Sequence, residues 1–273
     1  MANDNSSSNT RIVVWILVLL FIICIGAYFT GFRFDVKNVK AIAPGTVVLG
    51  MPIDNVNILI NDVDAGKGRV VDGKINLKFI PAGIQKIGVI KEGYWPWQKI
   101  VNVRSGESVT LNPILVNKSP TGEVIPPADA EYANIRSKIL SEVNNSISTS
   151  SDNTVLLTKA STTLKAKYIG ENINNAPFPF CTFDFYGETL EDSCVPELVA
   201  FTSIEKIRNI NFYKNRSDVA LIAIASGIYA IELGADDFQN FQPLYKGKSP
   251  NFTIGQDGKL YILDEEALLL LHC

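Results

Sequence analysis

The longest apolar stretch of the chain lies close to its N-terminus. Residues 12–32, IVVWILVLLFIICIGAYFTGF, contain no charged side chain. At the rise of an α-helix this stretch measures roughly 30 Å, the thickness of the hydrocarbon core of a bilayer. A secretory signal has a shorter apolar region, of about 7 to 15 residues, and a small-residue cleavage site. The pattern therefore predicts a retained transmembrane helix over 12–32, after a short polar tail over 1–11.

The next region alternates apolar and polar positions with a period of two. Within residues 44–116, the apolar residues Ile75, Leu77 and Phe79 are separated by single polar residues. This is the period of a half-buried strand. Turn sequences such as NDVDAGKG, VDG and KEG separate several such segments, and no helical pattern intervenes. We therefore expect a small antiparallel β-sandwich over 44–116.

The sequence changes character after this region. Residues 117–153 begin with the linker-like NKSPTGEVIPP and end with the polar ISTSSDN. Between these segments, Ile135, Ile139 and Val143 recur at helical spacing. The pattern predicts a linker that contains one short amphipathic helix.

Strand patterns return over residues 154–273. Two apolar hairpins, ALIAIASGIYAIEL and LYILDEEALLLL, each follow a polar loop, and such weak repetition is typical of β-propeller blades. At about 40 residues per blade the region makes about three blades, fewer than the usual four. We expect a second all-β domain that resembles a partial propeller, or an open sheet. The whole chain is predicted to be mostly β, with one N-terminal transmembrane helix.

The order of several motifs over about residues 53–116 resembles the PEGA-domain family. The motifs are a strand ending in Asn before a Gly-bearing turn, IPAG, KEGYWPW and a final GE before the last strand. Residues 91–94, KEGY, stand where the family has its eponymous Pro-Glu-Gly-Ala. The upstream AYFTGFRFDVKNVK is similar to the membrane exit of a bacterial group with one anchor, a PEGA domain and a propeller-like region. The resemblance implies a surface or envelope protein and implies no reaction.

The segment KEGYWPW concentrates Tyr94, Trp95 and Trp97 around Pro96. Gly93 permits a positive φ at the turn, and Pro96 removes one amide from a ladder, which is tolerable at a sheet edge. Alternate strand residues share a face, so Trp95 and Trp97 are expected to lie opposite Tyr94. We interpret the cluster mainly as part of the sandwich core. The alternative is an exposed binding surface, formed by Tyr94, Trp95 and Trp97, that stacks against sugar rings or a partner's side chains.

Two cysteines bracket a predicted hairpin. Cys181 and Cys194 flank two short segments around a Gly-containing turn, so strand pairing would bring their sulfurs within bonding reach. A disulfide closing about 14 residues would contribute about 3 kcal/mol in the chain-entropy model and would persist only in an oxidising compartment. Two free buried thiols are an equally open alternative. No zinc site is expected, because there is no C-x-x-C pair and the single histidine, His272, lies far away.

The orientation of the predicted membrane helix depends on two opposing signals. Arg33, Lys37 and Lys40 follow the helix, whereas only Arg11 and the terminal amine precede it, and this count places the C-terminal region in the cytoplasm. A very short N-terminal tail is typical of a signal-anchor, and long domains translocate largely regardless of charge. We predict single-pass insertion in the cell membrane with the C-terminal domains extracytoplasmic. The alternative is a cytoplasm-facing sensor.

Catalytic chemistry is sparse in this sequence. With one histidine there is no convincing catalytic triad, and no G-x-S-x-G, H-E-x-x-H or P-loop motif is present. The pairs Asp236-Asp237 and Glu265-Glu266 are interpreted as solvated loop charges, since adjacent strand residues point to opposite faces. We therefore predict no catalytic residue, no cofactor and no metal. The alternative is a carbohydrate- or peptidoglycan-acting enzyme with carboxylates in the C-terminal domain.

The charge distribution reduces the classes of partner to be considered. The net formal charge of -3 arises from 25 basic and 28 acidic residues without a long block of either sign, so no nucleic-acid surface is indicated. The predicted partners are the lipid bilayer, through residues 12–32, and an envelope protein or surface glycan, through the β domains. The predicted function is that of a non-enzymatic membrane-anchored binding protein.

Overall fold

A computed structural model describes residues 5–29, 31–35, 40–143, 145–173, 180–186, 189–234 and 239–272. Strands are the main secondary structure of the described residues, and one apolar helix lies at the N-terminus. The predictions of a mostly β chain and of an N-terminal apolar helix are confirmed. The chain divides into two compact units, which we describe separately. The first comprises Met1–Val89 and Gln98–Pro113, and the second comprises Ile90–Trp97 and Ile114–Cys273.

The first unit begins with the apolar helix and continues in strands. Its elements are α1 (Asn5–Phe29), β1 (Arg33–Asp35), β2 (Lys40–Ile42), β3 (Gly45–Gly50), β4 (Val56–Ile60), β5 (Val63–Gly68), β6 (Lys74–Ile80), β7 (Gly83–Ile90), β8 (Trp97–Val103) and β9 (Ser108–Leu111).

Helix α1 is long and apolar enough to cross a membrane over Arg11–Phe29, and none of that segment is buried. It ends at Phe29, earlier than the predicted 12–32. The reason is a Schellman C-cap, in which Gly31 has a positive φ of 83° and the Phe32 N–H donates to the Ala27 carbonyl at 3.0 Å. Glycine adopts this left-handed conformation without a steric penalty.

The strands of the first unit form a two-stranded sheet β1-β2, a three-stranded sheet in the order β6-β3-β9 and a four-stranded sheet in the order β5-β4-β7-β8. One pairing departs from the predicted antiparallel arrangement, because β3 and β9 run parallel, with Thr46 opposite Ser108. Parallel pairing needs a long connection between the strands. The five strands between β3 and β9 supply that connection.

The predicted alternation in β6 fails at one position. Ile75 is buried and Leu77 is partly buried, but Phe79 is 61% exposed and has a positive φ of 61°. The register between β3 and β6 shifts between Gly45 and Val47, so the ladder contains a bulge at this point. A bulge inserts an unpaired residue and redirects side chains, which accounts for the outward position of Phe79.

The second unit contains one helix and fourteen strands within its described residues. After the segment Ile90–Trp97, its elements are β10 (Thr121–Ile125), α2 (Tyr132–Glu142), β11 (Ile147–Thr149), β12 (Val155–Ala160), β13 (Thr163–Tyr168), β14 (Cys181–Tyr186), β15 (Thr189–Cys194), β16 (Glu197–Thr202), β17 (Asn209–Phe212), β18 (Val219–Ile224), β19 (Gly227–Glu232), β20 (Phe241–Lys246), β21 (Asn251–Ile254), β22 (Leu260–Asp264) and β23 (Ala267–His272).

Three four-stranded antiparallel sheets make up most of the second unit. Their strand orders are β11-β12-β13-β16, β17-β18-β19-β20 and β10-β23-β22-β21, and β14 and β15 form a separate hairpin. Buried residues from the first two sheets join in one hydrophobic cluster, which includes Leu157, Leu164, Ile210, Ile222 and Ile231.

The segment 117–153, predicted to be a linker, also contributes two strands. Strand β10 pairs with β23, and β11 pairs with β12. Both are edge strands, and their side chains are largely exposed. An edge strand is held through its backbone and needs no apolar alternation, so the sequence pattern did not reveal either strand.

Helix α2 lies within the region of predicted helical spacing. Ile139 is fully buried and joins a cluster with Tyr261, Leu263 and Leu268, against which Ile135 also packs. Thus the apolar face predicted for this helix does pack against strands.

The packing of α2 gives a prediction with a matched control on the same helix. We expect Ile139→Ala to lower the free energy of unfolding by about 2 to 5 kcal/mol, because it leaves a cavity in a closed cluster. Leu140→Ala is the control, since Leu140 is 45% exposed, and its effect is expected to stay within about 0.5 kcal/mol. Urea unfolding in non-ionic micelles, followed by circular dichroism, measures both. Equal effects of the two substitutions would contradict this packing.

Candidate binding groove at the tryptophan motif

The tryptophan motif pairs with a neighbouring segment of the second unit. The Trp95 N–H donates to the Val116 carbonyl at 2.9 Å, and the Lys118 N–H donates to the Gly93 carbonyl at 2.8 Å. Gly93 has a positive φ of 80°, as its place in the turn predicts. Between these two hydrogen bonds, Tyr94 lies opposite Asn117 in an antiparallel β-bridge. The motif is therefore fixed by backbone hydrogen bonds.

Gln242 of β20 holds the same segment through its side chain. Its Oε1 accepts the Val116 N–H at 3.0 Å, and its Nε2 donates to the carbonyls of Pro96 at 3.2 Å and Ile114 at 3.1 Å. Gln242 is only 3% exposed, so these bonds satisfy polar groups that water does not reach readily.

Trp97 is a core residue of the second unit. It is 1% exposed, and its Nε1–H donates to the Glu232 Oε2 at 2.8 Å. Asn240 donates to the same carboxylate oxygen at 2.7 Å, and Glu232 is itself 4% exposed. The structure therefore leaves Trp97 unable to form part of an exposed binding surface. Glu232 was missed by sequence reasoning, although a lone acidic residue after the apolar GIYAI was a usable signal.

Trp95 lies in a different environment from Trp97. It is partly exposed, and its buried Nε1 has no hydrogen-bond partner among the residues that the structure describes. The Lys118 Nζ lies 5.5 Å from the centroid of the Trp95 ring, within the range of a cation–π interaction. The indole is thus held by backbone pairing and ring contacts, while its polar group is left unpaired.

Trp95 lines a cavity of about 410 Å³ in the second unit. This volume lies within the range of small-molecule sites. The walls come from the motif, from the residues around β10, and from β20 and β23. Apolar and aromatic groups predominate, and the lining residues are Trp95, Lys118, Pro120, Gly122, Pro243, Leu244, Tyr245, Lys246, Leu269 and Leu271. We call this cavity the Trp95 groove. Tyr94, the third aromatic of the motif, is partly buried and does not line it.

Tyr245 forms a polar contact at the wall of the Trp95 groove. Its hydroxyl donates to the Asp264 Oδ2 at 3.0 Å, and Asp264 also accepts the Lys248 N–H at 3.0 Å. Burial, followed by the hydrogen bond to Asp264 and the charge of that carboxylate, raises the pKa of Tyr245 to about 12. Tyr245 therefore stays a neutral hydrogen-bond donor at physiological pH.

Cys181 and Cys194 are joined by a disulfide. They lie directly opposite each other in the β14–β15 hairpin, with a Cα–Cα distance of 4.0 Å. The bond closes the open end of the hairpin, opposite its turn.

The acidic pairs and the histidine do not assemble a site in the described residues. Glu265 and Glu266 are exposed at the turn between β22 and β23, and Asp236 and Asp237 lie outside the described residues. His272 is exposed and lies 3.4 Å from the Glu123 carboxylate. Within the described part of the chain, no three His, Cys, Asp or Glu side chains are grouped so as to hold a metal ion.

Comparison with known proteins adds no assignment for this chain. No protein-family model matches it, and no curated protein sequence matches it.

The environment of Tyr245 predicts a late tyrosine titration. Because folding favours the neutral phenol, its contribution to stability is fully present below the ordinary pKa of 10.0 and is lost as the pH rises through about 12. We expect an ultraviolet titration of the folded protein to contain a tyrosinate step near pH 12 that Tyr245→Phe removes. The chemically unfolded protein is the control and should lack the late step. Retention of that step in the variant would show that another tyrosine causes it.

Proposed function

We propose that this chain is a non-enzymatic, membrane-anchored protein that binds an extended acidic peptide segment of an envelope protein in the Trp95 groove. The observation that carries the proposal is the contrast between the two tryptophans. Trp97 is buried and hydrogen-bonded, whereas Trp95 is partly exposed beside a cavity and has an unpaired N–H. Burying an unpaired donor costs about 1 to 3 kcal/mol, so Trp95 is not positioned for stability alone.

The lining of the Trp95 groove supports a peptide partner. Tryptophan, tyrosine, proline and leucine give the apolar contact area that anchors side chains at interfaces. Lys118 and Lys246 are the charged lining residues, and no acidic residue lines the groove. This charge favours an acidic ligand over a neutral glycan, because complementary charge contributes to specificity and to the rate of encounter.

The proposed architecture is an anchor followed by two β domains. Helix α1 supports a single-pass anchor, with Arg11–Phe29 as its apolar segment. The seven strands β3–β9, in a three-stranded and a four-stranded sheet, support a PEGA-like sandwich, whose family assignment depends on the motif resemblance alone. Three four-stranded antiparallel sheets support a propeller-like second domain. In this proposal β10, the first strand of that domain, completes the sheet formed by the last three, β21–β23.

The disulfide supports an extracytoplasmic position for the second domain. Disulfides persist in oxidising compartments and are rare in the cytoplasm. The Cys181–Cys194 bond and the short N-terminal tail both favour an extracytoplasmic domain. In our proposal they count for more than the flanking basic residues, which favour a cytoplasmic domain. A cytoplasm-facing sensor would need the same two cysteines to stay reduced.

The binding proposal is tested by cross-linking from the Trp95 groove. A photo-reactive amino acid at Pro120, in the full chain in cells, should capture a protein segment with acidic and apolar residues. The affinity for that segment, synthesised as a peptide, is then measured with the full chain in non-ionic micelles. We expect Trp95→Ala to weaken binding more than about tenfold, because buried tryptophans dominate interface energies. Lys118→Gln should weaken it by a smaller factor and should reduce its salt dependence.

The control for these variants is Lys167→Gln. Lys167 is an exposed lysine of β13 and does not line the Trp95 groove, so its substitution should leave the affinity unchanged. Circular dichroism checks that each variant stays folded. Equal affinity of Trp95→Ala and the parent chain would refute this site, and capture of a glycan would refute the choice of a peptide.

The extracytoplasmic proposal predicts the thiol state of the chain in cells. In a variant carrying Cys24→Ser and Cys273→Ser, Cys181 and Cys194 are the remaining cysteines. We expect no maleimide labelling of the denatured chain before reduction and labelling of both cysteines after it, because the disulfide blocks them. When Cys181→Ser is added, Cys194 has no disulfide partner and should be labelled without reduction. Full labelling without reduction would contradict an oxidising location.

A further inference from the structure

A second cavity of the second unit, of about 380 Å³, has a basic lining. Lys159, Lys206 and Arg208 line it, together with Ser161 and three apolar residues, and none of its lining residues is acidic. We call it the basic cavity. It shares no lining residue with the Trp95 groove, so it is a separate site.

Two of the three cations are held in place by backbone carbonyls. The Lys159 Nζ donates to the Val143 carbonyl at 2.9 Å and to the Arg208 carbonyl, and the Arg208 guanidinium donates to the Ser249 carbonyl. An ammonium group has three N–H donors and a guanidinium has five. One donor of Lys159 and several of Arg208 are therefore available for a ligand. Lys206, in contrast, is an exposed side chain.

Lys206 and Arg208 lie close enough to Lys159 for their positive charges to act on it. Burial lowers the pKa of Lys159, and the charges of Lys206 and Arg208 lower it further. Among the described residues no acidic group offsets this effect on Lys159. A bound anion would offset these charges and act to raise the pKa of Lys159 again.

We propose that the basic cavity binds a phosphate group. Three convergent cations match a group with about two negative charges and several acceptor oxygens. Arginine binds such oxygens through its planar fork of N–H groups, and lysine binds them as a point charge. The Ser161 hydroxyl adds a neutral group that both donates and accepts hydrogen bonds. A single carboxylate carries one charge and two acceptor oxygens, so it would offset less of the positive charge than a phosphate group.

The test uses inorganic phosphate and the full chain in non-ionic micelles. Calorimetric titration should give saturable binding that weakens as the salt concentration rises. Lys206→Gln should weaken binding roughly tenfold, because it removes a positive charge that bonds to the anion. Lys206→Glu should abolish it, whereas Lys167→Gln, an exposed lysine outside the cavity, should leave it unchanged. Circular dichroism confirms that the variants are folded.

Further arms of the experiment identify the source of the phosphate. Glycerol phosphate represents a soluble ester, and a short-chain anionic phospholipid in mixed micelles represents a lipid headgroup. Dependence on Lys206 for one of these ligands and not for the other assigns the source. The proposal is overturned if phosphate shows no saturable binding, if Lys206→Gln binds as the parent does, or if acetate displaces phosphate at equal concentration.

Discussion

The buried hydrogen bonds of Glu232 and Gln242 determine how the tryptophan motif is presented. A buried carboxylate without partners would cost several kcal/mol, and the Trp97 indole and the Asn240 amide both donate to Glu232. Gln242, buried on the neighbouring strand, satisfies the carbonyl of Pro96, which precedes Trp97, and two backbone groups of the segment 114–116. These bonds leave little freedom in the backbone at Trp97. Trp95, two residues earlier, is consequently held at the edge of a groove instead of in the core.

The described groups of the Trp95 groove and the basic cavity are groups suited to binding. Tyr245, at the wall of the Trp95 groove, has a pKa of about 12 and stays protonated at neutral pH. Arginine is always charged, and the lysine of the basic cavity whose pKa is lowered is already bonded to two carbonyls. General acid–base catalysis works best with a group whose pKa is near the working pH. The groups described here instead offer fixed donors, fixed positive charge and apolar area.

Local patterns predicted much of the fold, whereas long-range contacts determined the parts that the sequence did not reveal. Alternation located several strands of the first unit, helical spacing located α2, and the place of Gly93 in a turn predicted its positive φ. The prediction of a turn over NDVDAGKG was wrong, because Val63–Gly68 forms β5, a mostly exposed strand that has no apolar alternation. The exposed edge strands β10 and β11 lacked an apolar pattern because backbone pairing alone holds them. Trp95 and Trp97 belong to the same short motif, and the buried position of Trp97 depends on Glu232, which lies 135 residues away. No local pattern contains that information.

The net charge of the chain is negative, whereas the charged residues of the Trp95 groove and of the basic cavity are positive. This difference in sign affects how an acidic partner would bind. The chain carries a formal charge of -3, yet the charged residues that line the two cavities are all basic. At physiological ionic strength the screening length is about 8 Å, so the overall negative charge has little influence on a ligand already at a cavity. Attraction therefore acts at contact distance and favours retention of a bound anion more than long-range steering. Affinity in such a site depends on the placement of a few cations, and the carbonyl contacts of Lys159 and Arg208 fix two of them.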